Sequence, residues 1–586
     1  MSLEAVSSHP PAPTQEEIIA SLPRHLRPFV QVQDHASAYS ERDHAVWCFL
    51  MTALTGALSE SAHPVYLEGL ARTGIALDHI PSIDEMNACL AKLGWRAVVV
   101  DGFIPPAIFM EFQALRVLVI ALDMRSVDHL LYTPAPDILH ESAGHAPFLV
   151  DVDYAEFLQR FGEVGMQAIA NQHDLELYEA IRELSILKES ASPTEMIEAA
   201  EARLDALSAN HEPPSEAALL TRLHWWTVEY GLVGSVDDYA LFGAGLLSSL
   251  GESQSCLNDE VVKKLPLTVD AVQTPYDITS TQPQLFVTRS CKHMGQILEE
   301  FANSMAYRCG GATGLRRAID AHSVCTATYD SGVQVSGVIA RADTDAVGNV
   351  TYLQTSGPTQ LAFHGAELYG HGIDSHREGF GSPVGMLKDF SRCLSEYTID
   401  ELKAHRIAVG EEVVLEFLSG ITVNGKLREI HRQDHRNLIL SFTECTVTAL
   451  DGTVLFDPEW GTYDMAVGAR ISSVGGGVAD RERYQLYKPL PRTATPGQEE
   501  DATLMASYAL VRSLRAGDVS RGSETETQVR AALDAAPTEW LLRSELLRLG
   551  DGLPADLLAR LASELDALVI DPQHRRALSL VHPAHF

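Results

Sequence analysis

Apolar residues recur at three- and four-residue spacing from about residue 36 to residue 310, which is typical of helices that bury one face. Residues 45–58 and 83–93 show the pattern clearly, and Ser82 with Glu85 predicts a capping box at the start of the second segment. Between residues 97 and 121 the apolar runs are shorter and predict short strands or turns. This part of the chain is therefore predicted to be mainly α-helical.

The pattern changes near residue 325, where short β-branched runs alternate with turn residues. The predicted strands are 333–338, 350–353, 413–418, 438–442 and 445–450. The predicted turns are Ser419-Gly420, Asn424-Gly425, Asp451-Gly452 and the run Gly475 to Gly477, which lacks the Lys-Ser/Thr of a phosphate loop. These features predict a β-rich domain over residues 325–490, as a small barrel or sandwich.

Helical periodicity returns after a predicted linker at residues 492–500. The predicted helices of this C-terminal region, 497–586, are 502–516, 525–535, 539–549 and 555–568. Residues 1–35 are predicted to be a flexible leader with one short amphipathic segment. A length of 586 residues exceeds what one hydrophobic core usually organises, so a multidomain chain is expected.

Charge and cysteine content exclude several classes of partner. The formal net charge is -35, from 79 acidic and 44 basic side chains, so nucleic acid and membrane surfaces are not expected as partners. The 8 cysteines are irregularly spaced and form no C-x-x-C pair, which argues against a disulfide framework and favours a cytoplasmic location. Assembly into a homo-oligomer stays open.

The segment that indicates chemistry is YTPAPDILHESAGHAPF, residues 132–148. It holds His140 and His145 at i and i+5, which lie about 140° apart on an ideal α-helix, whereas the i, i+4 histidines of zinc peptidases lie about 40° apart. Both rings can reach one metal only if the helix ends or distorts, and Gly144 is the predicted exit. The spacing alone also permits a buried histidine pair that is hydrogen-bonded to backbone carbonyls.

Residues 132–147 resemble the metal-binding segment of the pterin-dependent aromatic amino acid hydroxylases. Two further blocks follow in the family order: WWTVEYGL at 225–232, which bears the third ligand, and GAGLLSSLGE at 243–252, which lines the substrate end of the pocket. The resemblance covers roughly residues 85–315 and implies a mainly α-helical catalytic domain of this type over residues 36–320. It does not extend to the β-rich or C-terminal regions.

The resemblance implies Fe(II) bound by His140, His145 and Glu229, which is the facial arrangement of two histidines and one carboxylate in non-haem oxygenases. A tetrahydropterin, O2 and an aromatic amino acid are the implied co-substrate, oxidant and substrate. The implied reaction is ring hydroxylation, with phenylalanine to tyrosine as the first expectation.

Further site residues are implied by matched position. The implied substrate contacts are Arg125, Thr133, Trp225, Gly245 and Ser248. The implied pterin contacts are Phe109, Glu141 and His224, where His224 replaces a tyrosine that is usual in the family. Asp137 is expected to orient Arg125 or a ligand histidine, to cap the following helix, or both. Trp225 also suits a plain core position.

Alternatives of other kinds remain open from the sequence. Tryptophan and tyrosine hydroxylases share the implied iron site and differ in the pocket wall. A metal-dependent hydrolase using His140, Glu141 and His145 is a candidate from another class, although the i, i+5 spacing disfavours it. The third alternative is a sensor that binds an amino acid in the pocket and signals the bound state through its β-rich domain. About forty residues more than in animal members separate His145 from Glu229, and residues 174–207 there predict two surface helices.

Overall fold

The computed structural model describes residues 12–100, 104–131, 136–189, 193–209, 213–278, 280–489, 501–520 and 522–585. The predicted linker at 492–500 and the predicted substrate contact Thr133 lie outside these ranges. Among the described residues, no helix is both long and apolar enough to cross a bilayer.

The first region, up to residue 321, carries most of the helices. They are α1 (Gln15–Ser21), α2 (His35–Ala38), α3 (Glu41–Leu58), α4 (Val65–Arg72), α5 (Ile83–Leu90), α6 (Pro106–Ala114), α7 (Val152–Gly165), α8 (Gln172–Glu189), α9 (Thr194–Ser208), α10 (Glu216–His224), α11 (Ala244–Ser248), α12 (Leu250–Ser255), α13 (Cys291–Ser304), α14 (Ala306–Cys309) and α15 (Gly311–Ala321). The capping box of Ser82 with Glu85 and the two helices expected within 174–207 are confirmed.

Two small sheets accompany these helices. One has the order β1-β2-β3, from β1 (Val30–Gln31), β2 (Arg96–Val100) and β3 (Val117–Ala121). The other has the order β5-β4-β7-β6, from β4 (Leu232–Ser235), β5 (Asp238–Leu241), β6 (Lys263–Pro266) and β7 (Gln284–Thr288). Strands β2 and β3 are parallel and are joined through α6, so the short strands expected between residues 97 and 121 are confirmed.

The expectation of a flexible leader over residues 1–35 is wrong for its described part. Thr14 and Glu17 form a capping box at the start of α1, and β1 pairs with β2. Ile18 and Leu22 are 2% and 1% exposed and pack with the apolar face of β2, β3 and α6. The segment folds because it covers a sheet face that would otherwise be exposed to water.

The second region is β-rich, as expected. Its elements are β8 (Val324–Tyr329), β9 (Val333–Thr344), β10 (Val350–Phe363), β11 (Ala366–Glu367), β12 (Gly381–Pro383), α16 (Ile399–Ala404), β13 (Glu412–Glu416), β14 (Thr422–Gln433), β15 (Arg436–Thr448), β16 (Val454–Phe456), β17 (Tyr463–Ala466) and β18 (Ile471–Gly476). Sheet I has the order β11-β10-β9-β8-β18 with β12 on β10, and sheet II has the order β13-β14-β15-β16 with β17 on β15.

Two predictions within this region are wrong for one reason. The strands expected at 438–442 and 445–450 are the single strand β15, and Asn424-Gly425 lies inside β14 instead of at a turn. Glu444 has a left-handed φ of 52°, and the β14–β15 register shifts opposite it. Both strands therefore continue through a β-bulge at this point, although the polar and glycine residues there resemble a turn in the sequence.

The glycine run at residues 475–477 is also not a simple turn. Gly475 and Gly476 belong to β18, where the amide of Gly476 donates to the carbonyl of Gln167 at 3.0 Å. A Cβ at Gly476 would lie 2.1 Å from the carbonyl oxygen of Ala168, so only glycine allows this approach. The run therefore provides one of the close contacts between sheet I and the helical region, beside the packing of α15 on the same sheet.

The third region consists of α17 (Ala502–Ala516), α18 (Ser523–Ala535), α19 (Trp540–Leu547), α20 (Ala555–Leu568) and α21 (Pro572–Val581). The sequence predicted the first four and missed α21. These helices do not form a separate tail, because their buried residues share one hydrophobic core with α3. The Trp540 ring meets Phe49 edge-on at 5.3 Å, and Arg42 forms an ion pair with Glu539 at 2.9 Å.

Candidate active site

A π-helical turn brings the two predicted ligand histidines together. Residues Leu139–His145 form this turn, in which residues five apart lie one turn apart. The Nε2 atoms of His140 and His145 are 3.2 Å apart, and the rings stand at 88° to each other. The distortion that the spacing required is thus confirmed.

The role expected of Gly144 in this distortion is wrong. The helix does not end there but continues into a 3-10 turn at Ala146–Val150. A Cβ at Gly144 would lie 2.9 Å from the Cβ of Ala244 and 3.0 Å from its carbonyl oxygen. Gly144 therefore serves the close packing of α11 against the π turn, which is a long-range contact.

Glu229 completes the cluster from a second π-helical segment, Trp225–Glu229. Its Oε2 lies 3.2 Å from Nε2 of His140, and its Oε1 lies 3.4 Å from Nε2 of His145. The three side chains are between 5% and 14% exposed. The structure therefore brings all three predicted metal ligands into one nearly dry cluster.

Glu141 also lies near the histidines, and proximity alone would group it with His140 and His145. Its Oε2 is 3.9 Å from Nε2 of His145, which is farther than either oxygen contact of Glu229. Burial raises the pKa of Glu141 to about 8, so its carboxyl is mostly neutral at pH 7. Glu229 is therefore the better candidate ligand, because it is closer to the histidines and is ionised.

The charge state of Glu229 follows from its neighbours. Burial would raise its pKa, but the adjacent His145 and His140 outweigh that effect and hold the pKa well below the ordinary carboxyl value. Burial would lower the pKa of His140, but the hydrogen bond and charge of Glu229 raise it to about 9. Burial lowers the pKa of His145 to about 3.

Ser248 fixes the orientation of His140. Its hydroxyl donates to the carbonyl of Ala244 at 2.8 Å and lies 2.9 Å from Nδ1 of His140. Since the single hydroxyl proton is used on Ala244, Ser248 accepts the Nδ1 proton of His140. The nitrogen that faces His145 and Glu229 is then Nε2, whose lone pair would be free for a metal in the neutral ring.

Arg125 and Asp137 form a fully buried ion pair beside the cluster, with side chains 0% and 3% exposed. Arg125 donates from Nε and Nη2 to the two oxygens of Asp137 at 2.7 and 2.8 Å, and from Nη1 to the carbonyl of Ser248 at 2.8 Å. Asp137 also accepts the backbone amide of His140 at 2.9 Å. Both roles expected of Asp137 are therefore present together.

Trp225 lies in an aromatic stack. Its ring is parallel to Tyr230 at 4.6 Å and to Tyr276 at 4.2 Å. Its indole Nε1 is buried and has no hydrogen-bond partner among the described residues. Tyr276 was not found from the sequence, because it comes 51 positions after Trp225 and belongs to none of the three motif blocks.

Gly245 lies against Tyr230, which is one of the two tyrosines stacked on Trp225. A Cβ there would come within 2.7 Å of the Tyr230 ring, so the position admits no side chain without movement. The Tyr230 hydroxyl donates to Oε2 of Glu252 at 2.7 Å. The third motif block thus holds the aromatic wall in place, a role that the sequence did not assign to Glu252.

The three predicted pterin contacts lie around the same cluster. Phe109 meets the His224 ring edge-on at 6.0 Å, and Nδ1 of His224 lies 3.6 Å from Oε1 of Glu229. The Nε2 atom of His224 is 3.4 Å from Nε2 of Gln113. His224 therefore connects α6 with the ligand carboxylate, and burial lowers its pKa.

The chain is similar to known proteins of one family. The family model described as biopterin-dependent aromatic amino acid hydroxylase matches residues 28–184 and 200–309. Phenylalanine-4-hydroxylase of Pseudomonas aeruginosa is 30% identical over 263 residues, which is 45% of this chain and 84% of that protein. Phenylalanine-4-hydroxylase of Mesorhizobium japonicum is 31% identical over 265 residues, which is 45% of this chain and 80% of that protein.

Among solved structures, Chromobacterium violaceum phenylalanine hydroxylase with bound iron(III) and 7,8-dihydrobiopterin is 27% identical, with a TM-score of 0.38. That match covers 47% of this chain and 85% of the other. The family resemblance noted in the sequence is confirmed by the family model and by relatives that the chain covers over most of their length. The chain belongs to the biopterin-dependent aromatic amino acid hydroxylases.

Proposed function

We propose that the chain is an iron- and tetrahydropterin-dependent monooxygenase that hydroxylates the ring of phenylalanine to give tyrosine. The observation that carries the proposal is the convergence of His140, His145 and Glu229 within 3.2 to 3.4 Å of one another. Family membership supports the reaction type. The relatives at 30% and 31% identity are phenylalanine-4-hydroxylases, which supports phenylalanine as the substrate.

The donor set fits iron. Nitrogen and oxygen ligands of one ion at bonds of about 2.1 Å lie roughly 3.0 to 3.4 Å apart, as the atoms of this cluster do. Two imidazoles and one carboxylate leave positions for O2, which suits Fe(II) rather than a closed structural site. When held by His140, His145 and Glu229, iron would activate O2 with two electrons from the tetrahydropterin, so that one oxygen atom would go to the ring and the other to the pterin.

The surroundings of the cluster suit the binding of an amino acid. Three of the five N–H groups of Arg125 are used on Asp137 and Ser248. Two N–H groups remain, one on each terminal nitrogen, and these can donate to a substrate carboxylate. Trp225 supplies an aromatic wall, and Gly245 allows the close packing that holds Tyr230 in that wall. Thr133, outside the described residues, is proposed as a further substrate contact.

Phe109, Glu141 and His224, which also lie around the cluster, are proposed to bind the pterin. Phe109 offers a ring face, and Glu141, mostly neutral at pH 7, can both donate and accept a hydrogen bond. His224 lies between Phe109 and Glu229, so a ring bound there is held beside the ligand carboxylate. Burial of these groups excludes water, which limits wasteful oxidation.

The domain assignment is proposed in parallel. Residues 36–320 form the mainly α-helical catalytic domain of the aromatic amino acid hydroxylase type, residues 325–490 the β-rich domain, and residues 497–586 the helical C-terminal region. The support is the family match, which ends at residue 309, and the start of sheet I at Val324.

The proposal is tested by reconstituting the full chain with Fe(II) and a tetrahydropterin and offering phenylalanine, tyrosine and tryptophan in air. Tyrosine from phenylalanine is the expected product, identified by mass and chromatography. Faster turnover of tryptophan or tyrosine would contradict the assignment of phenylalanine as the substrate but would leave the proposed reaction type in place. No hydroxylated product from any of the three would overturn the reaction type.

A further inference from the structure

A second cluster of ligand-type side chains lies in the β-rich region, far along the chain from the first. His371, His376 and Asp464 meet there. The Nδ1 atom of His371 is 3.3 Å from Nε2 of His376, and these nitrogens lie 3.6 and 3.7 Å from Oδ2 of Asp464. The three side chains are between 9% and 15% exposed, so the cluster is mostly buried but reachable by solvent.

The backbone holds both histidines firmly. The carbonyl of His371 accepts the amide of Leu361 at 2.9 Å, and the carbonyl of His376 accepts the amide of Thr359 at 3.0 Å. Leu361 and Thr359 lie two residues apart on β10, so the histidine loop is fixed to sheet I. The two imidazole planes are nearly parallel, at 8°.

The carboxylate comes from the other sheet. Asp464 lies on β17 of sheet II, and its Oδ1 accepts a hydrogen bond from the hydroxyl of Ser441 on β15. That bond leaves Oδ2 directed at the two histidines. A carboxylate held in this way through its second oxygen is the arrangement that positions a metal ligand.

A purely hydrogen-bonded cluster explains this geometry less well. Both contacts to Oδ2 exceed the usual length of a hydrogen bond, about 3.2 Å. The three atoms instead form a nearly regular triangle. An ion lying slightly out of their plane, as a fourth ligand requires, would be about 2.1 to 2.2 Å from each atom, which is in the range of zinc–nitrogen and zinc–oxygen bonds.

We propose that His371, His376 and Asp464 form a second metal site, which binds a divalent first-row transition metal of the zinc class. Two imidazoles and one carboxylate are borderline ligands that suit such an ion and disfavour calcium or magnesium. Three protein ligands leave a position for water, which the partial exposure of Asp464 permits. The ion joins sheet I to sheet II, so it stabilises the β-rich region.

The site is independent of the proposed iron site, and the experiment keeps the two apart. The full-length chain is freed of metal with a chelator, titrated with Zn²⁺, desalted and assayed for bound zinc per chain. The wild type and the Glu229→Gln variant are each compared with the same chain carrying Asp464→Asn. In both backgrounds, Asp464→Asn is expected to remove one equivalent of zinc.

Asp464→Asn preserves the shape of the side chain, and His376→Ala is a second variant with the same expected loss. Asp374→Asn and His364→Asn change exposed residues of the same region and should retain the full zinc content. Zinc should also raise the melting temperature of Glu229→Gln but not of Glu229→Gln/Asp464→Asn. The proposal is overturned if Asp464→Asn and His376→Ala bind as much zinc as the parent chain.

Discussion

The hydroxyl of Ser248 lies 2.9 Å from Nδ1 of His140, while the carbonyl of Ser248 accepts a hydrogen bond from Nη1 of Arg125 at 2.8 Å. One residue therefore orients a ligand histidine through its side chain and the proposed substrate-binding arginine through its backbone. Ser248 thus connects the proposed metal ligand His140 with the proposed substrate-binding Arg125, and only the side-chain contact can be removed by mutation.

Ser248→Ala is expected to lower kcat about 10- to 100-fold and to weaken iron binding, because the His140 ring loses its fixed orientation. The change in KM for the amino acid should be smaller, since the backbone contact to Arg125 remains. Steady-state kinetics and iron content per chain measure both effects. Ser253→Ala is the control, because that buried hydroxyl donates only to the carbonyl of Leu250. Wild-type turnover in Ser248→Ala would contradict the assignment.

Two isosteric changes distinguish the candidate carboxylate ligands. Glu229→Gln removes the ionised ligand and should remove one equivalent of bound iron, with loss of turnover. Glu141→Gln replaces a carboxyl that burial already keeps mostly neutral, with a pKa of about 8, so iron content should stay at the wild-type level. Metal analysis after desalting checks both. Loss of iron from Glu141→Gln, with retention of iron in Glu229→Gln, would show that Glu141 and not Glu229 is the metal ligand.

Asp137→Asn is expected to destabilise the chain by about 3 kcal/mol, because it leaves the buried Arg125 guanidinium without its counter-charge. The measurement is a fall in melting temperature compared with the wild type. Asp343→Asn is the matched control: its pair with Arg341 is 34% to 44% exposed, and such pairs contribute at most about 1 kcal/mol. Equal shifts in the two variants would argue against a structural role of the buried pair.

Iron binding is expected to depend on pH through His140. In the metal-free protein its pKa is raised to about 9, so at pH 7.5 it carries a proton that a metal must displace. The apparent affinity should therefore rise about tenfold per pH unit below pH 9 and level off above it. Calorimetric titration with Co²⁺ in buffers of different ionisation enthalpy should show release of about one proton at pH 7.5.

This titration is best made in the Asp464→Asn variant, so that only the site formed by His140, His145 and Glu229 is measured. An affinity that stays constant from pH 6.5 to pH 9, with no proton released, would contradict the coupling between His140 and Glu229. Wild-type protein serves as the comparison for metal content.

The proposed metal ligands His140, His145 and Glu229 could be predicted because they lie in two of the three motif blocks, and the i, i+5 spacing of the two histidines already demanded a distorted helix. The need for glycine at position 144 could not be predicted, because it arises from the close approach of Ala244, which lies a hundred positions later in the chain. The same applies to Tyr276 against Trp225. Contacts between distant segments leave no local periodicity, so they become visible only when the chain is folded.

The β-rich region illustrates a second limit. Its strands were predicted from β-branched runs, but the bulge at Glu444 depends on the register between β14 and β15. His371 and His376 repeat the four-residue gap of the first pair, yet Asp464 follows 88 positions after His376. Without sheet topology, nothing in the sequence joins them into a cluster.

The C-terminal helices are expected to stabilise the catalytic domain, because they share its core. Trp540→Ala removes the ring that contacts Phe49 on α3 and should cost about 2 kcal/mol. Thermal inactivation of hydroxylase activity should then begin at lower temperature, with kinetics at low temperature unchanged. Trp460→Ala, which changes a tryptophan 64% exposed in the β-rich region, should shift the inactivation midpoint very little. If Trp540→Ala leaves that midpoint unchanged, the C-terminal helices contribute nothing to the stability of the catalytic core.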